Sequence, residues 1–186
     1  VLDFAIGVGI AVGGTIAIFG SLTVSIAMCA VIILVGSFRR PQLDISSGGL
    51  MLLAAIVLFG YLVLVSVQQG TPWGQRIFRF SLILGMAAVI AQRRIDIRSL
   101  ILGLVIGSIV NVPAFYAGLT PNDYPPYLTG WYGDKNVAGM YYAALGILGL
   151  FVFSRRWAGG WLALSSVFLF LTGSRTSMSA FVLAVL

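Results

Sequence analysis

Residues 171–177 read Leu-Thr-Gly-Ser-Arg-Thr-Ser, a polar insert between two apolar runs. The planar guanidinium of Arg175 can hold two phosphate oxygens at once, and Ser174 can cap a helix starting at Thr176, whose free N–H groups favour an anion. A lipid diphosphate fits that chemistry; the alternative is an arginine that snorkels from a helix end. Residues 130–136 read Gly-Trp-Tyr-Gly-Asp-Lys-Asn and set an acid, a base and an amide just ahead of an apolar helix. Asp134 and Asn136 can bind sugar hydroxyls while Lys135 attracts phosphate, or the segment is a capping turn with a paired surface charge. Arg76 and Arg79 stand three apart at the start of another helix and share a face. They extend a basic funnel for an anionic head group, or are two interfacial arginines. The candidate substrate-binding set is therefore Arg175, Asn136, Lys135, Asp134, Ser174, Arg76 and Arg79, with no catalytic base singled out.

Other chemistries lack residues. There is no His, and the five acids are scattered without metal-ligand spacing, so no metal site and no cofactor are expected. Cys29 is the single cysteine, which excludes an intrachain disulfide. Tyr124, Tyr127, Trp131 and Tyr132 can stack on sugar rings, but aromatics also collect at membrane interfaces.

These groups have to be positioned by apolar helices. Of 186 residues, 60% are hydrophobic and 9% charged, and the mean hydropathy is +1.06, against about 25% charged residues in soluble domains. The apolar stretches are continuous, without the period-2 alternation of a barrel strand, so the expected class is all-α: a polytopic transmembrane bundle. Residues 1–35 read as two linked helices turning at Gly20-Ser21, with Gly9 and Gly13 spaced for close packing. Further spans are expected over Gly48–Val67, Ile77–Ala91, Ser99–Gly118, Val137–Phe153 and Gly160–Leu171. Asn111 and Pro113 mark a kink in the fifth helix. An eighth span, starting at Thr176, is cut short at Leu186. The expectation is about eight spans in one transmembrane domain, 1–186, belonging to a longer chain. No cleavable signal is read at the start.

The net charge of +6 does not indicate nucleic acid, because the basic residues sit in short clusters between apolar spans. Alternate connections hold Arg39, Arg40, Arg93, Arg94, Arg98, Arg155 and Arg156, seven residues, against Arg76, Arg79, Lys135 and Arg175, four. The positive-inside rule places the first set and the N-terminus in the cytoplasm. The loop ending at Lys135, the segment before Ile77 and the Gly173-Ser174-Arg175 turn then share the outer face.

The order of Gly130, Gly133-Asp134-Lys135-Asn136 at a helix start, a basic turn at Arg155-Arg156, and Gly173-Ser174-Arg175-Thr176-Ser177 one hairpin later resembles the O-antigen ligase and polymerase family. The resemblance covers the N-terminal and central part of such proteins, and implies a bacterial inner-membrane enzyme of cell-surface polysaccharide assembly. Members transfer a glycan from a polyprenyl-diphosphate carrier to a glycan or lipid acceptor on the outer face. Arg175 and Asn136 sit at the positions of the family motifs, whereas Asp134 and Lys135 differ from many relatives. The large outer loop of the family, often bearing a His, has no counterpart here. The competing class is a multi-span transporter of a small solute or anion, which would use a broken helix and polar residues at mid-membrane.

The charge bias yields a direct test of orientation. A cysteine placed by Asn122→Cys is expected to react with an impermeant thiol reagent added to intact cells. Reaction only after membrane disruption would reverse the assignment.

Overall fold

The computed structural model describes residues 1–14, 16–19, 22–41, 48–69 and 73–185. Among them are eight α-helices: α1 (Leu2–Val12), α2 (Val24–Phe38), α3 (Gly48–Gln68), α4 (Trp73–Ala91), α5 (Ile97–Tyr116), α6 (Lys135–Gly149), α7 (Arg155–Thr172) and α8 (Arg175–Val185). The chain is helical, as its apolar runs require. A minimal antiparallel ribbon, β1 (Ala17–Phe19) with β2 (Leu22–Thr23), joins α1 to α2. Helix α1 stops at Gly13, whose N–H bonds Gly9 O at 2.9 Å, and the β-branched and aromatic residues that follow suit extended backbone. The expected turn at Gly20-Ser21 lies outside the described residues.

Helix boundaries depart from expectation in one functional respect. Helix α6 ends at Gly149, and Phe153 N–H returns to Gly149 O at 2.8 Å. Helix α7 then begins at Arg155, so the basic pair lies in its first turn and not in the connection. Among the described residues, one helix, Ile97–Tyr116, is long and apolar enough to cross a membrane. Leu2–Val12, Val24–Phe38, Ile56–Gln68, Ile77–Ala91 and Arg175–Val185 are shorter apolar helical stretches.

The chain forms two compact units, one of residues 1–28 with 96–186 and one of residues 29–95. In the first, α1 and α5 run parallel in close contact: Gly7 lies against Leu100, Gly103 and Leu104, and Gly107 against Val8 and Ala11. A Cβ added at Gly107 would stand 2.6 Å from Ala11 Cβ. The expected Gly9/Gly13 pair serves a different neighbour, admitting Met28 and Val24 of α2. Small residues therefore line two faces of one helix, allowing backbones to approach where larger side chains would hold them apart. Asp96 caps α5 by accepting Arg98 N–H at 3.1 Å and Ser99 N–H at 3.4 Å. Its own N–H bonds Asp3 Oδ2 at 2.9 Å, fixing the start of α5 to the start of α1. The Ser99 hydroxyl, followed by these backbone donors, holds the Asp96 carboxyl below its ordinary value.

Helices α6, α7 and α8 complete this unit around Tyr142, Phe168, Leu169 and Phe181. Trp161 donates to Leu145 O at 3.2 Å and Gly146 O at 3.1 Å, locking α7 to α6. In the second unit, α2 and α4 run parallel, with Gly36 against Val89 and Gly85 2.7 Å from the Ile33 δ-methyl. Arg94 reaches Gly36 O at 3.2 Å, and Arg39 reaches Arg94 O at 3.1 Å. Large apolar side chains also face outward, including Leu64 (64% exposed), Phe170 (74%) and Leu183 (77%).

If α1 and α5 depend on this close approach, Gly107→Leu should lower the unfolding free energy by about 1–3 kcal/mol through overpacking. Gly60→Ala, at a glycine with nothing within 4 Å of an added Cβ, should leave it unchanged or slightly raised. Denaturant unfolding of the detergent-solubilised protein separates the two, and equal losses would remove the packing explanation.

Candidate functional site

The site is assembled from a buried amide outward. Asn111 is fully buried in α5; its Oδ1 accepts Trp131 N–H at 2.9 Å and its Nδ2 donates to the Tyr142 hydroxyl at 3.1 Å. Tyr142 donates in turn to Ser108 O at 3.2 Å, and the Ser108 and Tyr132 hydroxyls are 2.7 Å apart. Burial pushes the Tyr132 phenol well above its ordinary value, so it remains a neutral hydrogen-bonding group. Ser108 and Asn111 are one helical turn apart, a polar pair inside an apolar helix from which more than a kink could have been read.

Around this anchor the 3₁₀ turn Gly130–Tyr132 is bounded by two glycines of positive φ, Gly130 at 54° and Gly133 at 73°. At Gly130 the Asn111 amide also occupies the space a Cβ would need. The turn delivers Asp134 to the N-cap of α6, where Oδ1 accepts Asn136 N–H at 2.7 Å and Val137 N–H at 3.1 Å. Asp134 is thus a capping group. Lys135, the first residue of α6, places Nζ 4.5 Å over the Tyr127 ring, a cation–π geometry. The same ring packs against Gly173, the left-handed C-cap of α7 at φ 63°, while Leu128 N–H bonds Leu171 O at 2.9 Å.

The two polar motifs meet at this point. Ser174, only 1% exposed, has its Oγ 3.3 Å from Asn136 Oδ1 and 2.9 Å from Ser177 Oγ. With one proton, the Ser174 hydroxyl donates to one of these at a time. Its carbonyl accepts Met178 N–H at 3.0 Å, the first backbone bond of α8. Gly139 makes the approach possible, since a Cβ there would stand 2.5 Å from Ser174 Cβ. Neither Gly139 nor Ser177 was singled out in the sequence, because their value lies in contacts across a helix pair.

An open groove of ≈390 Å³ lies beside this junction, lined by Asn136, Met140, Ala143, Ser174, Thr176, Ser177 and Ala180. Its lip is polar and its walls are apolar. Arg175 opens α8 between two lining residues and is exposed. Arg79 is exposed on α4 in the other unit; Arg76 lies in the first turn of that helix, and its side chain is outside the described residues. The structure thus brings Asn136, Ser174, Asp134, Lys135 and Arg175 to one end of the first unit. No group of three or more potential metal-ligating side chains stands together among the described residues. Hydroxyls, an amide and cations can bind sugars and anions, whereas among the described residues beside the groove no pair of carboxylates stands ready to supply a general base.

The anchor makes a stability prediction. Asn111→Leu leaves the Trp131 N–H and the Tyr142 hydroxyl short of a partner and should cost about 1–3 kcal/mol. Tyr142→Phe removes the phenol together with its bonds and should cost less. Thermal unfolding of both variants gives the ranking; an unchanged Asn111→Leu protein would remove Asn111 as the anchor. Compared with known proteins, the chain matches no family model, no curated protein and no solved structure.

Proposed function

We propose that this chain is a polytopic membrane-spanning bundle of about eight helices that transfers a glycan from a polyprenyl-diphosphate carrier to an acceptor hydroxyl. The reaction is placed at the outer face of a bacterial cytoplasmic membrane, in the manner of O-antigen ligases and polymerases. One observation carries the reading: Ser174 and Asn136, 38 residues apart, are joined at the lip of a groove that continues along apolar walls. A polar lip over an apolar wall suits a head group followed by an isoprenoid chain.

The membrane part of the proposal draws on helices that are apolar outside as well as inside, a pattern water does not favour. It also draws on the parallel pairs α1/α5 and α2/α4, which are what alternate crossings produce. The seven-to-four basic bias puts the N-terminus in the cytoplasm and the groove outside.

Chemically, the carrier diphosphate is a ready leaving group, and the protein has to stabilise the charge that develops on it while orienting the acceptor. Arg175 supplies the bidentate fork, Lys135 a second cation, and Asn136 and Ser174 hydrogen bonds to sugar or phosphate oxygens. Arg76 and Arg79, which the charge bias puts on the same outer face, are proposed to attract anionic head groups to that face. The transporter alternative asks mid-helix polar groups to rearrange, whereas Asn111 and Ser108 are committed to fixed partners.

The test is Arg175→Lys in the full-length, membrane-inserted protein with a polyprenyl-diphosphate glycan donor. Lys keeps the charge and loses the fork, so turnover should fall roughly 30-fold to 1,000-fold, equivalent to about 2–4 kcal/mol in the transition state. Thermal stability should be unchanged. Arg40→Lys, remote in sequence and on the predicted inner side, should alter neither. Equal turnover for Arg175→Lys and parent removes the diphosphate clamp; an inactive parent across several donors removes glycan transfer.

A further inference from the structure

The opposite end of the first unit carries a second cationic surface. Arg98, exposed near the start of α5, donates to Val152 O at 3.1 Å and so ties α5 to the α6–α7 connection. Three residues after Val152, Arg155 and Arg156 open α7, both exposed. Phe151 and Trp157 flank them at 79% and 71% exposure. We propose that this end is a binding site for the headgroup of an anionic phospholipid in the leaflet facing away from the Asn136–Ser174 groove. The proposal rests on the membrane reading above, but not on glycan transfer.

Among the described residues, the charge of this end is not answered from within. Asp96 spends its carboxylate on Ser99 and on the backbone donors of α5, and Asp3 is buried and accepts the Asp96 N–H. Arg155 and Arg156 are adjacent cations in one helical turn, with Arg98 brought alongside, so a bound anion relieves their mutual repulsion. A phosphodiester offers the paired oxygens a guanidinium recognises.

The aromatics select the source of that phosphate. A helix start facing only water gains nothing by exposing a Trp in its first turn and a Phe just before it, whereas at the boundary between headgroups and acyl chains both rings are favourably placed. Basic residues flanked by exposed aromatics match a lipid surface better than a free anion, and juxtamembrane arginines each strengthen binding to anionic lipid about fivefold.

The experiment uses the full-length protein in phosphatidylcholine nanodiscs containing a minor fraction of phosphatidylglycerol, with retained lipid counted by native mass spectrometry. The parent should prefer phosphatidylglycerol, and Arg155→Gln with Arg156→Gln should weaken that preference roughly 25-fold. The corresponding double Lys variant should keep most of it, and Arg40→Gln should cost no more than the roughly fivefold of one isolated basic residue. Brominated phosphatidylglycerol should quench the parent more than Trp157→Phe. Thermal unfolding in phosphatidylcholine alone checks that the variants are folded. An inserted parent without lipid preference overturns the site, as does full competition by inorganic phosphate or an equal loss in Arg40→Gln. Extraction of the parent from vesicles by alkali overturns the membrane reading and this site with it.

Discussion

The carboxamide of Asn111 occupies an otherwise apolar stretch of α5, where an unsatisfied polar group is worth several kcal/mol of penalty. Satisfaction of both its ends dictates what surrounds it. The oxygen requires a donor, which fixes the Trp131 N–H and with it the 130–133 turn; the nitrogen requires an acceptor, which fixes Tyr142 on α6. Once both are held, the chain direction into α6 is set and Asp134 arrives at the cap. Asn136 then emerges two positions further, facing Ser174. The lip of the groove is thus the end of a chain of obligations that begins within the last two turns of α5.

The same unit depends equally on side chains that are absent. Where a glycine faces a neighbouring helix, the two backbones can come into close van der Waals contact that a larger side chain would prevent. Gly7, Gly103 and Gly107 give α1 and α5 that contact, and Gly139 gives it to α6 and α8. At Gly139 packing and chemistry coincide, because the space a methyl would take is the space through which Ser174 reaches Asn136. A substitution there would be felt at the groove before it was felt in the core.

Composition made the helices legible, since continuous apolar runs separated by polar breaks leave few alternatives, and each of the eight helices among the described residues begins or ends within a few residues of a Gly, Pro or charged residue. Alternation of the connections also placed residues 130–136 and 173–175 at a common end. What was not legible is the identity of facing surfaces. Periodicity shows that Gly9 and Gly13 share a stripe, but not that α2 covers it while α5 takes Gly7 and Ala11. Asn111 and Pro113 read as a kink because the partners of Asn111 lie 20 and 31 residues along the chain, a separation that no local pattern encodes. Arg155 and Arg156 read as a loop, although arginine is a good helix former and Ser154 stands at the N-cap position.

The two helix starts at the groove are electrostatically different, and the difference locates the anion in the proposed reaction. At α6 the Asp134 carboxylate already accepts two of the free N–H groups and neutralises the positive end of the helix. Both helices open on a cation, Lys135 and Arg175, but at α8 the residue before the first turn is Ser174, neutral and bonded sideways. A diphosphate drawn to this lip is therefore better accommodated at α8, beside Arg175, than at α6. In the proposed reaction Asn136 is left for the sugar side of the bond to be broken; the Tyr127 ring is set between Lys135 and Gly173. That division assigns charge stabilisation to α8 and orientation of the glycan to α6, so loss of Arg175 and loss of Asn136 are different defects within one groove.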